Sequence, residues 1–428
     1  MLNQIRQWLR ALTLIVMAGG GAGSATAHPM PESRLLIDTH ADGITLTLQL
    51  PLNRLEFAYR QPLSDAPELV LARHADGLSA YLLQHVGARS DNVGWQALRP
   101  HLAVSGSGAT AELEAVLELR APAGSDTRHF TLLYDAVTHE VRTHRGLVYL
   151  RNDWASGHVA QPPRLLGQVD AQRNAVDVEL EASRAGAGFL SLFVHGAGHI
   201  AAGTDHLLFL LTLLLVAPLT PAGRRWGAPR PAGQALRQLA GVVTAFTIGH
   251  SITLALGSTG LVTLPTALVE TAVAASILVA AAHALRPLLR QGELAMAGGF
   301  GLLHGLAFAT SLSSAGLTPR QHALALLAFN LGIEAMQLLV VACAAPPLLV
   351  LAGQTPRAYA ALRTVAALGA AAAAAALIGE RLGLGPAGAG DWLEAAAVAG
   401  PPLGALLWLA AAVVRLSSAR RGALRSAP

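Results

Sequence analysis

Long apolar runs fill the second half of the chain and constrain its fold more than any other feature. Seven of them reach the roughly 20 residues that a helix needs to cross a bilayer. They lie near residues 189–216, 238–257, 266–285, 294–314, 322–351, 358–379 and 392–414. Apolar residues make up 53% of the chain and charged residues only 13%. In hydrocarbon a helix satisfies its own backbone groups, so the sequence predicts an α-helical polytopic membrane protein with about seven transmembrane helices.

Residues 28–184 have a different, mixed and polar character, which predicts a small β-rich periplasmic domain. The segments "GITLTLQLPL" (43–52), "AELEAVLELRAP" (111–122) and "HEVRTHRGLVYL" (139–150) alternate or are rich in β-branched residues, between Gly, Pro and Asp turn signals. Recurrent short strands of this kind favour a sandwich. The segment 111–122 also fits a helix, because periodicity alone does not separate the two.

The N-terminus has the features of a secretory signal peptide. Arg6 and Arg10 flank the start, an apolar stretch follows, and "ATA" precedes His28. An uncleaved first transmembrane helix is the alternative, which the short apolar run disfavours. The predicted organisation is a signal peptide at 1–27, a periplasmic β-rich domain at 28–184, a transmembrane helical domain at 185–416 and a short cytoplasmic tail at 417–428.

Arginine placement predicts the orientation in the membrane. Twelve arginines fall in the connections and tail that seven spans would place inside: Arg224, Arg225, Arg230, Arg237, Arg286, Arg290, Arg357, Arg363, Arg415, Arg420, Arg421 and Arg425. The outer loops between helices carry two, Arg320 and Arg381. By the positive-inside rule, we expect a multi-pass protein of a bacterial-type inner (cell) membrane, with the N-terminal domain in the periplasm and the C-terminus in the cytoplasm.

Composition and missing motifs also argue against a nucleic-acid partner, nucleotide-driven transport and thiolate chemistry. The net charge is +4, but the chain has no lysine and no arginine-rich tract with interleaved aromatics, so we expect no nucleic-acid partner. Without a nucleotide-binding P-loop, any transport would be driven by a gradient or a partner. Cys343 is the single cysteine, so no intrachain disulfide is possible. A soft Cu(I) site is disfavoured because no other thiolate is available.

Ionisable and amide side chains within the apolar runs are the candidate functional residues, because such groups are costly in hydrocarbon unless they are partnered or functional. The candidate metal ligands are His195, His199, Asp205, His206, His250, Glu270, His304, Asn330, Glu334 and Gln337. Imidazoles with carboxylates and amides suit Ni²⁺, Co²⁺, Zn²⁺ or Cu²⁺. Hydrogen bonding between helices is the alternative role for these side chains. The nine histidines of the β-rich domain are expected mostly at its surface.

Helical geometry leaves two arrangements open for the first run. His195, His199 and His206 lie within about 40° of one another on a helical wheel, and Asn330, Glu334 and Gln337 form a second one-sided stripe. On an unbroken helix, His199 and His206 would lie roughly 10.5 Å apart along the axis, too far to ligate one ion at about 2 Å. Either two metal stations follow each other along a path, or the helix breaks at one of its glycines, Gly196, Gly198 or Gly203. We favour two stations.

Four motifs follow one another in the apolar half: "HIAAGTDHLLFLL", "FTIGHSITL", "GLLHGLAFA" and "FNLGIEAMQ". Together they resemble the HupE/UreJ family of hydrogenase and urease accessory proteins, in the branch with an added periplasmic domain. The resemblance covers roughly residues 185–340 and extends more loosely to "HPMPESRL" and "THEVRTHRGLVYL". It implies a nickel or cobalt permease whose histidines handle the metal, with metalloenzyme-maturation proteins as partners. The H-x4-D-H signature of the nickel/cobalt permeases is not matched, because five residues separate His199 from Asp205.

Three hypotheses follow from the sequence. The leading one is a transporter, not an enzyme, for a divalent transition metal, with the lipid bilayer and the ion as its partners. The second is a membrane zinc-dependent hydrolase, which predicts three ligands converging on one point beside a cleft; a transporter predicts ligands spread along the membrane normal. The third is a metal-accessory or assembly protein without transport.

Overall fold

The β-rich N-terminal part is built from two sheets. A computed structural model describes residues 32–258, 261–262, 264–289, 292–313, 317–384, 388 and 400–425; the predicted signal peptide and the last three residues lie outside them. Seven strands form the larger sheet: β1 (Ser33–His40), β2 (Gly43–Pro51), β5 (Gln96–Ala97), β6 (His101–Ser105), β7 (Glu112–Arg120), β9 (Gly146–Asn152) and β10 (Arg164–Val169). Four form the smaller sheet: β3 (Val86–Ser90), β4 (Val93–Gly94), β8 (His129–Tyr134) and β11 (Ala175–Glu179).

Strand alternation places the apolar residues of both sheets in one core. The larger sheet has the order β10-β9-β1-β2-β7-β5, with β6 also on β7, and β1 runs parallel to β9. In the antiparallel β2–β7 pair, Leu46 lies opposite Leu117, and both are fully buried. Leu132 of β8 and Val178 of β11 belong to the same core. The predicted β-rich region is therefore confirmed, and residues 111–122 form a strand and not a helix.

Two parts of this region differ from the sequence prediction. The segment 139–150 is a strand only from Gly146 onward, because the preceding residues fold into turns in which Val141 N–H donates to Val137 (3.0 Å) and His144 N–H to Val141 (2.9 Å). Two helices, α1 (Leu52–Tyr59) and α2 (Val70–His85), were not predicted. Helix α2 buries Val70, Leu78 and Leu82 along one face.

The second half is helical, as predicted. Its helices are α3 (Ala187–Ala202), α4 (Thr204–Leu214), α5 (Ala232–Ser258), α6 (Thr266–Leu285), α7 (Glu293–Ser313), α8 (Pro319–Gln354), α9 (Pro356–Arg381) and α10 (Gly400–Arg425). A hairpin of β12 (Leu219–Ala222) and β13 (Arg225–Pro229) joins α4 to α5. Among the described residues, four helices (α5, α6, α8 and α9) are long and apolar enough to cross a membrane, or five spans if α3 and α4 count as one. Helix α7 matches the predicted run 294–314, and α10 overlaps the run 392–414 from Gly400 onward, since residues 392–399 lie outside the described ones. The count of seven spans stays a prediction.

The first predicted span is broken, which corrects the expectation of a continuous helix. Helices α3 and α4 meet at Gly203 with a bend of 69°. Gly203 has φ −74° and ψ 95°, which lies outside the helical region. The distance of roughly 10.5 Å expected along an unbroken helix therefore does not apply to His199 and His206.

Glycines set the spacing between the helices that carry the candidate ligands. A Cβ atom at Gly196 of α3 would lie 2.1 Å from the Phe329 carbonyl oxygen of α8, and one at Gly332 would lie 2.0 Å from the Phe193 carbonyl oxygen. A Cβ at Gly301 of α7 would likewise lie 2.1 Å from a carbonyl oxygen of α5. Small residues at such crossings let membrane helices approach closely.

The connections rich in arginine gather at one end of the bundle. There Arg363 donates to the Ala284 carbonyl (2.7 Å), Tyr359 to the Leu215 carbonyl (2.8 Å) and the Trp226 indole to the His283 carbonyl (3.1 Å). The β-rich domain contacts the start of α3, where the Gln161 amide donates to the Ser191 hydroxyl (3.2 Å).

Candidate metal site

Four histidines and one aspartate converge where α3, α4, α5 and α7 meet. His199 lies in the last turn of α3, Asp205 and His206 in the first turn of α4, His250 in α5 and His304 in α7. The bend at Gly203 brings the imidazole rings of His199 and His206 to a centroid distance of 4.8 Å, and those of His206 and His304 are 4.7 Å apart. The alternative of a break at a glycine is therefore right, and the argument for two stations spaced along one unbroken helix does not hold.

These side chains form two overlapping triads. The first triad is His199, His206 and His250, and the second is Asp205, His206 and His304. In each triad, one potential ligand atom per residue lies within 4.8 Å of those of the other two residues. His206 belongs to both triads. His206, His250 and His304 are at most 6% exposed, so a ligand held between them would be shielded from solvent.

Hydrogen bonds fix the orientation of three of the rings through Nδ1. His206 Nδ1–H donates to Asp205 Oδ1 (2.9 Å), an atom that also accepts the His206 backbone N–H (2.9 Å). His304 Nδ1–H donates to the Phe300 carbonyl (2.8 Å). Asn330 of α8 donates its amide to the Leu326 carbonyl (2.8 Å), so its Oδ1 accepts from His250 Nδ1–H (3.3 Å). A neutral imidazole that donates through Nδ1 presents a lone pair on Nε2.

The three Nε2 atoms are buried and unsatisfied. In the described part of the chain, Nε2 of His206, His250 and His304 makes no hydrogen bond. A buried polar atom without a partner is costly and calls for an explanation. Metal-ligating histidines usually donate their second nitrogen to a carboxylate or carbonyl, which is the arrangement of these rings, so the donor set fits a late first-row divalent ion.

Aromatic rings enclose the cluster. Phe246 lies 5.2 Å from the His304 ring and Phe329 lies 5.6 Å from the His199 ring, measured between centroids. Phe209 lies 6.0 Å from the His304 ring. No sequence pattern assigns these three residues to a site, because phenylalanine carries no ligand atom and only the helix packing places it beside the imidazoles.

A cleft leads to the cluster from the β-rich domain. It has a volume of about 940 Å³ and is lined by residues of that domain, including Gln161 and Arg184, and by the exposed side of α3, including His195, Gly198 and His199. His195 is half-buried and lies outside both triads. His199 is thus common to the cleft and to the first triad.

Of the other predicted ligands, Asn330 contacts the first triad through its hydrogen bond with His250 (3.3 Å), whereas Glu270, Glu334 and Gln337 belong to neither triad. Glu270 forms an ion pair with Arg381 at the end of the bundle opposite the arginine-rich connections. Glu334 accepts from the Thr244 hydroxyl (3.0 Å) on the outer surface of α5 and α8, whereas Gln337 is buried beside Thr247, whose hydroxyl donates to it (3.4 Å). Asn330 and Gln337 therefore face the interior, but Glu334 does not share their surroundings.

The fold and the site together define a helical membrane protein with a β-rich extramembrane region and a buried cluster of imidazoles. Residues 175–381 match the family model described as HupE / UreJ protein. This part of the chain, which contains every residue of the two triads, is a HupE/UreJ domain. No curated protein and no solved structure matches the chain.

Proposed function

We propose that the two triads bind a divalent transition-metal ion and pass it across the membrane. The observation that carries the proposal is the set of three buried Nε2 atoms on His206, His250 and His304, each on a ring whose Nδ1 already has a partner. Such an arrangement is costly for a structural core. It is the arrangement that a metal ion needs, since the lone pairs are free and the rings are held.

The chemistry of the donors limits the cargo. Neutral imidazoles with one carboxylate suit Ni²⁺, Co²⁺, Zn²⁺ and Cu²⁺. The one cysteine, Cys343, lies exposed on α8 beyond Gln337 and adds no thiolate to the cluster. We propose nickel or cobalt as the transported ion, because the HupE/UreJ match supports a role in metal transport or in the maturation of metalloenzymes; zinc is the main competitor.

The overlap of the triads supports movement of the ion. An ion held by His199, His206 and His250 could exchange two ligands for Asp205 and His304 and keep His206 throughout. The cleft beside the β-rich domain gives access to His199. We propose that this cleft faces the periplasm, in keeping with the arginine-rich connections at the other end of the bundle.

A membrane zinc hydrolase is the second candidate, because the ligands converge on one place instead of following each other along the normal. In such an enzyme a bound Zn²⁺ would activate a water molecule, with three protein ligands and one open position. The family match favours transport, and flux and hydrolysis assays separate the two activities.

Metal titration of the purified protein tests the binding site. His206→Ala removes a ligand from both triads, and we expect the affinity for Ni²⁺ and Co²⁺ to fall at least about 100-fold, the upper range for loss of an orienting partner. His322→Ala is the matched control, because His322 is also a membrane-helix histidine but is bonded to the Ser258 hydroxyl (3.0 Å), away from the cluster. Wild-type affinity in His206→Ala would refute the assignment.

Proteoliposomes then test the activity. Flux of Ni²⁺ or Co²⁺ that needs His206 supports transport. The hydrolase would replace transport if the protein binds metal without flux and the wild type hydrolyses p-nitrophenyl butyrate in the presence of Zn²⁺, while His206→Ala does not. Binding with neither activity would leave a metal-accessory role.

A further inference from the structure

A second group of ligand-type side chains lies in the β-rich domain. His85 is the last residue of α2, while Asp135 and His139 follow β8. One nitrogen or carboxylate oxygen from each lies within 4.8 Å of the other two. The nine histidines of this domain are expected from the sequence to be mostly surface residues, and no pattern predicts that His85 and His139 share a site.

The backbone holds the three residues together. Asp135 N–H donates to the His85 carbonyl (3.1 Å), and His139 N–H donates to the Asp135 carbonyl (3.1 Å) in a single helical turn. Their side chains are joined as well: His85 Nδ1 lies 2.7 Å from Asp135 Oδ1, and His139 Nδ1–H donates to the Asp135 carbonyl (2.7 Å). The Nε2 atom of His139 is therefore a lone-pair donor.

The group is open to solvent, unlike the cluster between the helices. The side chains of His85 and Asp135 are 21% and 36% exposed, and His139 is exposed. The two imidazole rings stack at 4.4 Å with an interplanar angle of 14°. Protonation of both rings would place like charges in contact, whereas a shared cation would use both lone pairs.

The local charge also favours a cation. Tyr81 packs against the His85 ring at 4.4 Å and donates its hydroxyl to the Ala136 carbonyl. Burial, and then the carboxylates of Asp135 and Glu140, raise the pKa of Tyr81. The phenol therefore stays neutral, and Asp135 supplies the negative charge beside the imidazole pair, since Glu140 is paired with Arg60 (2.6 Å).

We propose that His85, Asp135 and His139 form a second site, accessible from solvent, for a divalent late first-row cation such as Ni²⁺, Co²⁺ or Zn²⁺. Nitrogen and oxygen ligands at about 2.0–2.2 Å from a tetrahedral ion lie roughly 3.3–3.5 Å from one another. Binding needs the donors, now within 4.8 Å of one another, to close by up to about 1.5 Å, and rotation of the exposed His139 side chain allows this. The proposal is independent of the function of the membrane cluster.

Counting bound ions in the full-length protein in detergent tests this site. Co²⁺ and Ni²⁺ equivalents are measured by elemental analysis and by the d–d absorption of Co²⁺. The variants are the wild type, His206→Ala, His85→Ala/His139→Ala, and the three substitutions combined. The matched control is His101→Ala/His129→Ala, which removes two other exposed histidines of the same domain.

We expect two equivalents in the wild type and the control, one in His206→Ala, one in His85→Ala/His139→Ala and none in the combined variant. In His206→Ala only the site of His85, Asp135 and His139 should still hold an ion. If this variant binds none, the present proposal is overturned and the membrane site stands. A single wild-type equivalent lost only in His85→Ala/His139→Ala would support this proposal and refute the membrane site. His139→Ala alone changes an exposed position and disturbs folding least, and it must also lose the one ion bound at this site. If His139→Ala keeps that ion, the three-residue site is refuted.

Discussion

Replacement of Gly203 by alanine tests whether the bend between α3 and α4 builds the metal site. A Cβ atom at this position would lie 2.7 Å from the His199 carbonyl oxygen and 2.8 Å from His206 Nδ1. Ordinary contacts of a Cβ begin at 3.4 Å, so the imidazole of His206 must retreat by about 0.6 Å. Distances between a metal ion and its ligands stay within about 0.2 Å of their standard values. The shift required of His206 is about three times this tolerance.

We therefore expect Gly203→Ala to weaken Ni²⁺ and Co²⁺ binding by about 10- to 100-fold, the range seen when the partners that orient a ligand are disturbed. Gly203 has a negative φ (−74°) that alanine also adopts, so we expect the protein to fold with a local shift of the His199 carbonyl. Gly198→Ala adds the same methyl group within α3, where no atom of a neighbouring element lies within 4 Å. We expect this control to bind metal with an affinity within about two-fold of the wild type.

Competition titration against a coloured metal indicator in detergent gives the affinity, and circular dichroism with size-exclusion elution shows whether each variant is folded. A folded Gly203→Ala protein that binds as tightly as Gly198→Ala would refute the reasoning. In that case the position of His206 Nδ1 next to the bend would not determine binding, and the two triads would not be the site.

Three further predictions use other contacts. Asp205→Asn keeps a hydrogen bond to His206 but removes the charge, and metal affinity by calorimetry should fall about 10- to 100-fold; no loss would exclude the carboxylate as a partner. Gly301→Ala places a Cβ 2.1 Å from a carbonyl oxygen of α5 and should destabilise the folded protein by about 1–3 kcal/mol, seen as a lower Tm. Burial alone would raise the pKa of Asp153, but hydrogen bonds led by Arg128 lower it from 3.8 to about 2. The lowered pKa stabilises the β-rich domain by about 2 kcal/mol above pH 4, and this is lost as the pH falls toward 2. Asp153→Asn should remove that pH dependence of the urea midpoint, measured by tryptophan fluorescence.

The sequence predicted the elements whose pattern is repeated over many residues. In strands β2 and β7 apolar residues alternate with polar ones because every second side chain enters the core, and the sequence pattern predicts both strands close to their observed bounds. Helix α2 was missed because its buried positions, Val70, Leu78 and Leu82, are widely spaced among polar residues. The β-branched residues of the turns at 139–145 resemble those of β9, so the sequence pattern predicts a strand there; only the backbone hydrogen bonds separate the two.

The site was predicted in its residue types but not in its geometry. Gly203 was identified as one of three candidate breaks, but a glycine permits a non-helical backbone and does not impose it. The approach of His250 and His304 to His206 depends on how closely α5 and α7 pack, which no local pattern encodes. The surface group was missed for a similar reason, because His85 and Asp135 are 50 residues apart in the chain. The D-x3-H spacing of Asp135 and His139 was the one local signal.

The bend at Gly203 connects the residues of the cleft with the buried ligands, and the proposed transport would use this connection. His199 is the residue shared by the cleft and the first triad, and His206 is shared by the two triads. The rings from His199 through His206 to His304 follow each other at 4.8 and 4.7 Å. A hydrolase needs one set of ligands that stays in place, and sharing His206 between two sets adds nothing to that function. An ion that must leave one set for the next needs a ligand that stays bound during the exchange. His206 meets this need, and for that reason its substitution should abolish flux even in a variant where some metal binding by the remaining residues survives.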